Sequence, residues 1–124
     1  MTTTTEARNL AMVDRWEDTY NNAVDRMVDE CYASNCEVHN MFAGIVFHGR
    51  DGLRAIEHEI QKAQVDRKLR VLKKFASGDS VAVECEGIFG ALRFKACVIL
   101  TFNADGQIIS DHTYSPDPTG ISSR

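Results

Sequence analysis

A carboxylate stands at the edge of an apolar helical stripe in the stretch "GLRAIEHEI". At about 100° per residue, Leu53, Ile56 and Ile60 share one side of the predicted helix, and Glu57 lies on the margin of that side. Such a residue either bends out to water or looks into a cavity. Burial raises the pKa of a carboxyl group, which suits it to general acid or base chemistry near neutral pH. The surrounding elements must decide between the two interpretations.

The composition is that of an ordinary single domain. The chain has 124 residues, of which 26% are charged, and a formal net charge of -4. A chain of this length can bury a core without staples, so we expect one domain over residues 1–124. Phosphate binding needs a basic excess that this chain lacks, which argues against nucleic acid as a partner. The sequence contains neither a leader pattern nor a membrane-length apolar run, which predicts no membrane partner and a cytoplasmic location.

The four cysteines do not form a recognisable site. They show no CxxC pair and no histidine at zinc spacing, and they fall among apolar neighbours at Cys31, Cys36, Cys85 and Cys97. We therefore expect reduced thiols in the core, with no metal and no cofactor.

Helical spacing dominates the first part of the chain. Thr5 can cap a helix that runs to about Tyr20 and carries Trp16 and Tyr20 on one side. Two asparagines break it, and a short second helix follows. The segment "CEVHNMF" then alternates, which places Val38 and Asn40 on one face of a strand. After it, "AGIVFHGR" reads as a loop that leads into the helix with the carboxylate.

Beyond residue 67 the sequence alternates with period two. This predicts four strands at about residues 68–76, 80–89, 92–102 and 107–115, joined by hairpin turns. The pattern indicates an α+β domain in which three N-terminal helices pack on a curved, mostly antiparallel β-sheet. We expect flexible tails at residues 1–5 and 118–124.

This element order resembles the NTF2-like cone fold over about residues 8–117. "RWEDTYNNAVDRMVDECYASNCEVHN" resembles the opening of ketosteroid isomerases, and "CEVHNMF" with "GRDGLRAIE" resembles limonene epoxide hydrolases. "DGQIISDHTYSPD" resembles the last strand of SnoaL-type polyketide cyclases. The resemblance implies a cone with an apolar interior. It leaves the activity open, because this superfamily hosts isomerases, hydrolases, cyclases and noncatalytic binders on one scaffold.

The catalytic residues of these families fall on other residue types in this chain. In the isomerase-like alignment, the catalytic aspartate falls on Asn40, the oxyanion tyrosine on Trp16 and the second acid on Val98. An amide cannot take a proton from carbon, and an indole cannot present a phenol. In the hydrolase-like alignment, the central arginine and aspartate fall near Cys85 and Gly87, and only the water-positioning Asn40 is kept.

The last strand offers a displaced acid. In both the hydrolase-like and the cyclase-like alignment the family's acid falls on Thr113, but Asp111 lies two residues earlier and so on the same strand face. The cone resemblance implies three catalytic candidates, Asp111, Glu57 and Asn40. It also implies a substrate-binding lining of Trp16, Tyr20, Val38, Cys85, Phe94, Val98 and Thr113.

Each candidate has a structural alternative. Asn40 could instead form a hydrogen bond with a backbone group at the strand end. Asp111 would face water if the register were shifted by one residue. Trp16 and Tyr20 could serve the core rather than a ligand.

The outer sheet face predicts an assembly. With Ile109 directed inward, the last strands would present Cys97, Ile99, Thr101 and Ile108 on the outside. This surface is too apolar for water, so we expect a homodimer through the sheet.

Three functions follow from these features. The first is a cofactor-free isomerase or cyclase acting beside a carbonyl of a hydrophobic metabolite such as a polyketide, steroid or terpenoid, with epoxide hydrolysis as a less favoured chemistry. Asp111 and Glu57 would exchange the proton, while Asn40 and Tyr20 would hold an oxygen. The others are a noncatalytic small-molecule binder and an assembly module. Convergent carboxylates favour the enzyme, a wholly apolar cone the binder, and a filled cone the assembly role.

Overall fold

A computed structural model describes residues 2–116 of the chain. The elements in chain order are α1 (Thr4–Asn22), α2 (Val24–Cys31), β1 (Tyr32–Asn40), β2 (Ile45–His48), α3 (Gly49–Ala63), β3 (Lys68–Ser77), β4 (Ser80–Phe89), β5 (Leu92–Phe102) and β6 (Ile108–Tyr114). The third helix follows the first two strands, and the segment expected to be a loop contains β2. The tail expected at residues 118–124 lies outside the described residues.

Helix α1 begins earlier than its expected cap. Thr3 is the N-cap: its hydroxyl accepts a hydrogen bond from the Glu6 amide at 3.1 Å, and its own amide donates to Glu6 Oε1 at 2.9 Å. The expectation that Thr5 is the cap was wrong. A capping box needs an acidic or amide side chain three residues after the cap, and Glu6 stands at that distance from Thr3.

The six strands form one mixed sheet in the order β2-β1-β6-β5-β4-β3. Strands β3 to β6 form the antiparallel meander that the period-two pattern predicted. Strand β1 pairs antiparallel with β2 and parallel with β6. The last strand therefore lies between the first and the fifth, and side chains from both ends of the chain meet on the inner face.

A bulge in β6 changes which side chains face inward. Thr101 pairs with Ser110, whereas Phe102 pairs with Ile108, so Ile109 is the extra residue. Ile108 consequently faces the core and is fully buried. The expected inward Ile109 and outward Ile108 were wrong, because a bulge shifts the alternation by one residue.

A single apolar core lies between the helices and the inner face of the sheet. Its fully buried members include Val13, Val28, Cys31, Val81, Val83, Leu100 and Ile108. Burying each such side chain contributes about 1.5–3 kcal/mol. All four cysteines are free thiols, and only Cys97 is partly exposed. Among residues 2–116, no helix is both long and apolar enough to cross a membrane.

Candidate active site

A cavity of about 160 Å³ remains between the helices and the inner face of the sheet. The ten residues named from the sequence all line it: Trp16, Tyr20, Val38, Asn40, Glu57, Cys85, Phe94, Val98, Asp111 and Thr113. Much of the remaining lining is aliphatic or aromatic. Two polar groups interrupt this apolar wall, one around Asp111 and one around Glu57.

The first polar group holds a buried carboxylate with neutral donors. Asp111 is only 3% exposed. The Tyr32 hydroxyl donates to Asp111 Oδ2 at 2.7 Å, and the Thr113 hydroxyl donates to Oδ1 at 2.7 Å. Trp16 Nε1 in turn donates to the Tyr32 oxygen at 3.1 Å. The carboxyl group is thus fixed by three elements, α1, β1 and β6.

Burial dominates the electrostatics of this group. It raises the pKa of Asp111 because the charged form loses its hydration, while the hydrogen bonds from Tyr32 and Thr113 lower it in part and Glu57 raises it further. Burial and the neighbouring Asp111 also raise the pKa of Tyr32 well above its usual value. Tyr32 therefore keeps its proton and remains a donor, and Asp111 exchanges protons closer to neutrality than an exposed aspartate does.

The second polar group is an ion pair that lies against an aromatic ring. Arg67 Nη2 lies 2.5 Å from Glu57 Oε2, and the two side chains are only 4% and 14% exposed. The Arg67 guanidinium carbon lies 4.4 Å from the centre of the Tyr20 ring, within cation–π range. Burial, followed by the charge of Glu57, raises the pKa of Tyr20. Glu57 therefore faces the cavity as the partner of a cation, a contact that the sequence did not indicate.

Asn40 combines its two expected placements. It ends β1, where its side-chain oxygen accepts a hydrogen bond from the Ala43 amide at 3.1 Å, and it also lines the cavity. The parallel pairing of β1 with β6 sets Asn40 beside Thr113 and Val38 beside Asp111. Asn40 thus tightens the turn that follows β1 and contributes to the cavity wall.

Two residues of the site were not found from the sequence. Tyr32 begins β1 four residues before the expected alternating stretch, and the pairing of β1 with β6 is irregular between Tyr32 and Glu37, which hides its inward direction. Arg67 opens a basic run whose next member, Lys68, is exposed. Its contacts with Glu57, ten residues earlier in the chain, and with the Tyr20 ring distinguish Arg67 from the rest of the run.

The described residues do not form a metal site. Within residues 2–116, no cluster of three or more histidine, cysteine, aspartate or glutamate side chains is placed to hold a metal ion. The polar side chains that line the cavity carry carboxyl, hydroxyl, amide and guanidinium groups, together with the imidazole of His39, the thiol of Cys85 and the ammonium group of Lys68.

The three helices, the six-stranded mixed sheet and the cavity between them define an α+β fold of the NTF2-like type. A model of the SnoaL-like domain matches residues 13–110, and the chain belongs to the SnoaL-like family. The resemblance predicted from the sequence is therefore confirmed. No curated protein matches the chain.

Solved structures show the same fold at low sequence identity. A candidate SnoaL-like polyketide cyclase from Jannaschia sp. CCS1 is 15% identical, with a TM-score of 0.81 over 99% of this chain and 96% of that one. A candidate polyketide cyclase from Sinorhizobium meliloti is 19% identical, with a TM-score of 0.71 over 83% and 93%. A protein with a ketosteroid isomerase-like fold from Catenulispora acidiphila, solved with trimethylamine, is 16% identical, with a TM-score of 0.72 over 84% of each chain.

Proposed function

We propose that the protein is a cofactor-free isomerase or cyclase that acts on a hydrophobic carbonyl compound, with Asp111 as the general base and acid. One observation carries this proposal: a carboxyl group, 3% exposed and held by two hydroxyl donors, stands in the wall of an apolar cavity. An open cavity with two carboxylates differs from the filled cone of an assembly module and from the wholly apolar cone of a simple binder.

The proposed chemistry is a proton transfer at carbon. The Asp111 carboxylate removes a proton from the carbon beside the carbonyl, and the C–H electron pair moves into an enolate. In an isomerisation, the new carboxylic acid returns this proton to another carbon of the same molecule. In a cyclisation, the enolate carbon forms a bond to a second carbonyl, and the acid protonates the resulting alkoxide. Both sequences restore Asp111.

The enolate oxygen needs a donor, and the second polar group supplies one. Arg67 lines the same cavity and is held by Glu57 and by the Tyr20 ring. A fixed guanidinium in a cavity with little water stabilises negative charge that develops on oxygen. In this scheme Glu57 orients the arginine, while Asn40 and Tyr20 shape the wall against which the substrate rests.

The test measures proton transfer without a known product. Wild-type protein in D₂O should accelerate deuterium incorporation beside the carbonyl of a small enolisable ketone such as 2-cyclohexen-1-one, followed by NMR. Asp111→Asn keeps the size of the side chain but removes the base, and should slow this exchange by about 100-fold. Asp105→Asn, in an exposed turn, is the matched control and should exchange like the wild type.

Two results would contradict the proposal that the protein is an enzyme. One is a wild-type protein that exchanges a panel of enolisable ketones no faster than buffer. The other is an Asp111→Asn variant that retains the full rate.

A noncatalytic binder is the second candidate, and a specific observation favours it. Trp16 and Val98 are buried wall residues, and in the isomerase-like alignment of the sequence they and Asn40 stand where that family carries its phenol and its two acids. A binder would take up ketones with equal affinity in the wild type and in Asp111→Asn while neither exchanged deuterium. Epoxide hydrolysis is less favoured, because Arg67 pairs with Glu57 and the donors to Asp111 are hydroxyl groups.

The outer sheet face supports a proposed homodimer. Ile99, His112 and His39 are cross-strand neighbours there, with the two imidazole centroids 4.6 Å apart, and Phe75 of β3 is 63% exposed. The inward direction of Ile108 removes one residue from the surface expected from the sequence. Sedimentation at micromolar concentration should show twice the 13.9 kDa chain mass. A single species of chain mass would contradict the proposal.

A further inference from the structure

The size and charge of the cavity restrict the substrate more closely than the family does. We propose that the cavity selects a compact, uncharged carbonyl compound of about one ring, and that Phe94 excludes longer molecules. This inference deepens the proposed function and rests on it for the chemistry, but it concerns binding and is tested by binding.

The first argument is volume. A cavity of about 160 Å³ is close to the engineered apolar cavity of about 150 Å³ that binds benzene. Ligand pockets for larger molecules usually enclose about 300–1,000 Å³. A fused polycyclic ketone has several times the volume of one ring and would have to leave most of its surface outside this cavity.

The second argument is the position of Phe94. It pairs with Gly87 across β4 and β5, and a Cβ atom built on Gly87 would lie 2.3 Å from Phe94 Cζ. The Phe94 ring therefore lies directly over the glycine backbone and fills the space that a side chain at position 87 would need. The Phe89 ring packs against it edge-on, with centroids 5.3 Å apart. Since both rings line the cavity, Phe94 shortens it from the β4–β5 side.

The third argument is charge. The lining carries the buried Asp111 and Arg67 and the partly buried Glu57, and Arg67 is already compensated by Glu57. Lys68 stands at the exposed rim and directs Nζ to the Asn21 carbonyl oxygen at 3.3 Å. A carboxylate ligand would face two acids. An ammonium ligand would be attracted by Asp111 but repelled by the guanidinium of Arg67. Burying an ion also costs more hydration than burying a carbonyl. A neutral acceptor avoids these costs.

Arg67 provides a donor for such an acceptor. A guanidinium group has five N–H donors, and in the described structure Glu57 receives a hydrogen bond from one terminal nitrogen. The guanidinium carbon lies 4.4 Å from the centre of the Tyr20 ring, and Arg67 lines the cavity, so a ligand oxygen in the cavity lies within reach of its other N–H groups. The oxygen of a one-ring ketone can then accept a hydrogen bond from Arg67 while the ring packs against the apolar wall.

The experiment compares ketones of increasing ring number by isothermal titration calorimetry. Wild-type protein should bind cyclohexanone at least tenfold more tightly than 1-decalone, and should show no binding of androstenedione. Phe94→Ala removes the ring over Gly87 and should improve 1-decalone binding at least tenfold. Val65→Ala, at an exposed position outside both the cavity lining and the outer sheet face, is the control and should keep the wild-type order. Phe94→Leu, a smaller change, should shift the order in the same direction if the alanine variant does not fold.

Three outcomes would overturn the inference. Androstenedione could bind wild-type protein as tightly as cyclohexanone does. The order could stay unchanged in folded Phe94 variants. Cyclohexylammonium or cyclohexanecarboxylate could bind more tightly than cyclohexanone. None of these outcomes bears on proton transfer, whereas a full exchange rate in Asp111→Asn would reject the proposed base and leave the size order intact.

Discussion

The two acids of the cavity, Asp111 and Glu57, are only 3% and 14% exposed, yet their surroundings differ in kind. Asp111 receives hydrogen bonds from the hydroxyl groups of Tyr32 and Thr113, while Glu57 is paired with the guanidinium of Arg67. Neutral donors fix a carboxyl group without compensating its charge. A cation compensates the charge, and the carboxylate then remains ionised as the partner of that cation. The partner, more than the burial, therefore separates a proton-transfer group from a positioning group.

Breaking the ion pair between Arg67 and Glu57 should have the largest effect, and this effect should be on stability. Arg67→Met leaves Glu57 inside the protein without its cation, and should lower the free energy of unfolding by about 3–5 kcal/mol in urea denaturation. The double variant Arg67→Met with Glu57→Gln should recover part of this loss, because no charge then remains unpaired.

Arg26→Met is the matched control for this prediction. Arg26 pairs with Glu30 on the surface, where solvent screens the interaction, and its loss should leave stability almost unchanged. Equal free energies of unfolding for the Arg67 and Arg26 variants would show that the buried pair does not stabilise the fold.

The next effect should distinguish the roles of the two acids. Glu57→Gln should slow deuterium exchange by only about tenfold, because it acts through the position of Arg67 and not through the transferred proton. This loss should appear mainly as weaker ketone binding. Glu59→Gln, on the exposed side of the same helix, should have no effect. A loss as large as that of Asp111→Asn would mean that both acids transfer the proton.

The stability of the protein should report the buried state of Asp111. Its folded-state pKa is raised by burial, so the folded chain holds this proton at pH values where the unfolded chain, with a pKa of about 3.9, has lost it. The stabilising contribution is therefore complete at low pH and is lost as the pH rises through the folded pKa. The unfolding free energy of wild type minus that of Asp111→Asn should decrease over this window. A flat or rising difference in urea denaturation at several pH values would contradict the assignment.

The smallest effect concerns the donor to Asp111. Tyr32→Phe removes a hydrogen bond that lowers the pKa of Asp111, so the acidic limb of the exchange rate should move to higher pH. The rate on the alkaline plateau should change little. Tyr114→Phe, at a partly exposed position, should leave the limb in place. A uniform loss of rate at all pH values would indicate a packing role alone.

Where apolar and polar residues alternate without interruption, the sequence predicted both the strands and the directions of their side chains. Strands β4 and β5 have the expected bounds, and Asp111 and Thr113 share the predicted face because no bulge separates them. The same reasoning reversed Ile108 and Ile109, since a bulge leaves no mark in hydrophobic periodicity. Strand β2 was missed because its four residues are too short to show a period.

The residues of the candidate site likewise divide into those that the sequence predicted and those that it did not. Alternation and resemblance placed Asp111 and Glu57 at one cavity, because both depend on local period. The partners Tyr32 and Arg67 depend on contacts between distant segments, and a single sequence does not encode such pairs in any spacing rule. The roles assigned to these residues stay predictions.

The position of β6 has a consequence for the nascent chain. The hydrogen bond between Tyr32 and Asp111 joins residues 79 positions apart, and β6 is the strand that fits between β1 and β5. Until the ribosome has released Ile108 to Tyr114, the facing edges of β1 and β5 have no partner and are open to other chains. Strand β6 thus both closes these edges and delivers the acid.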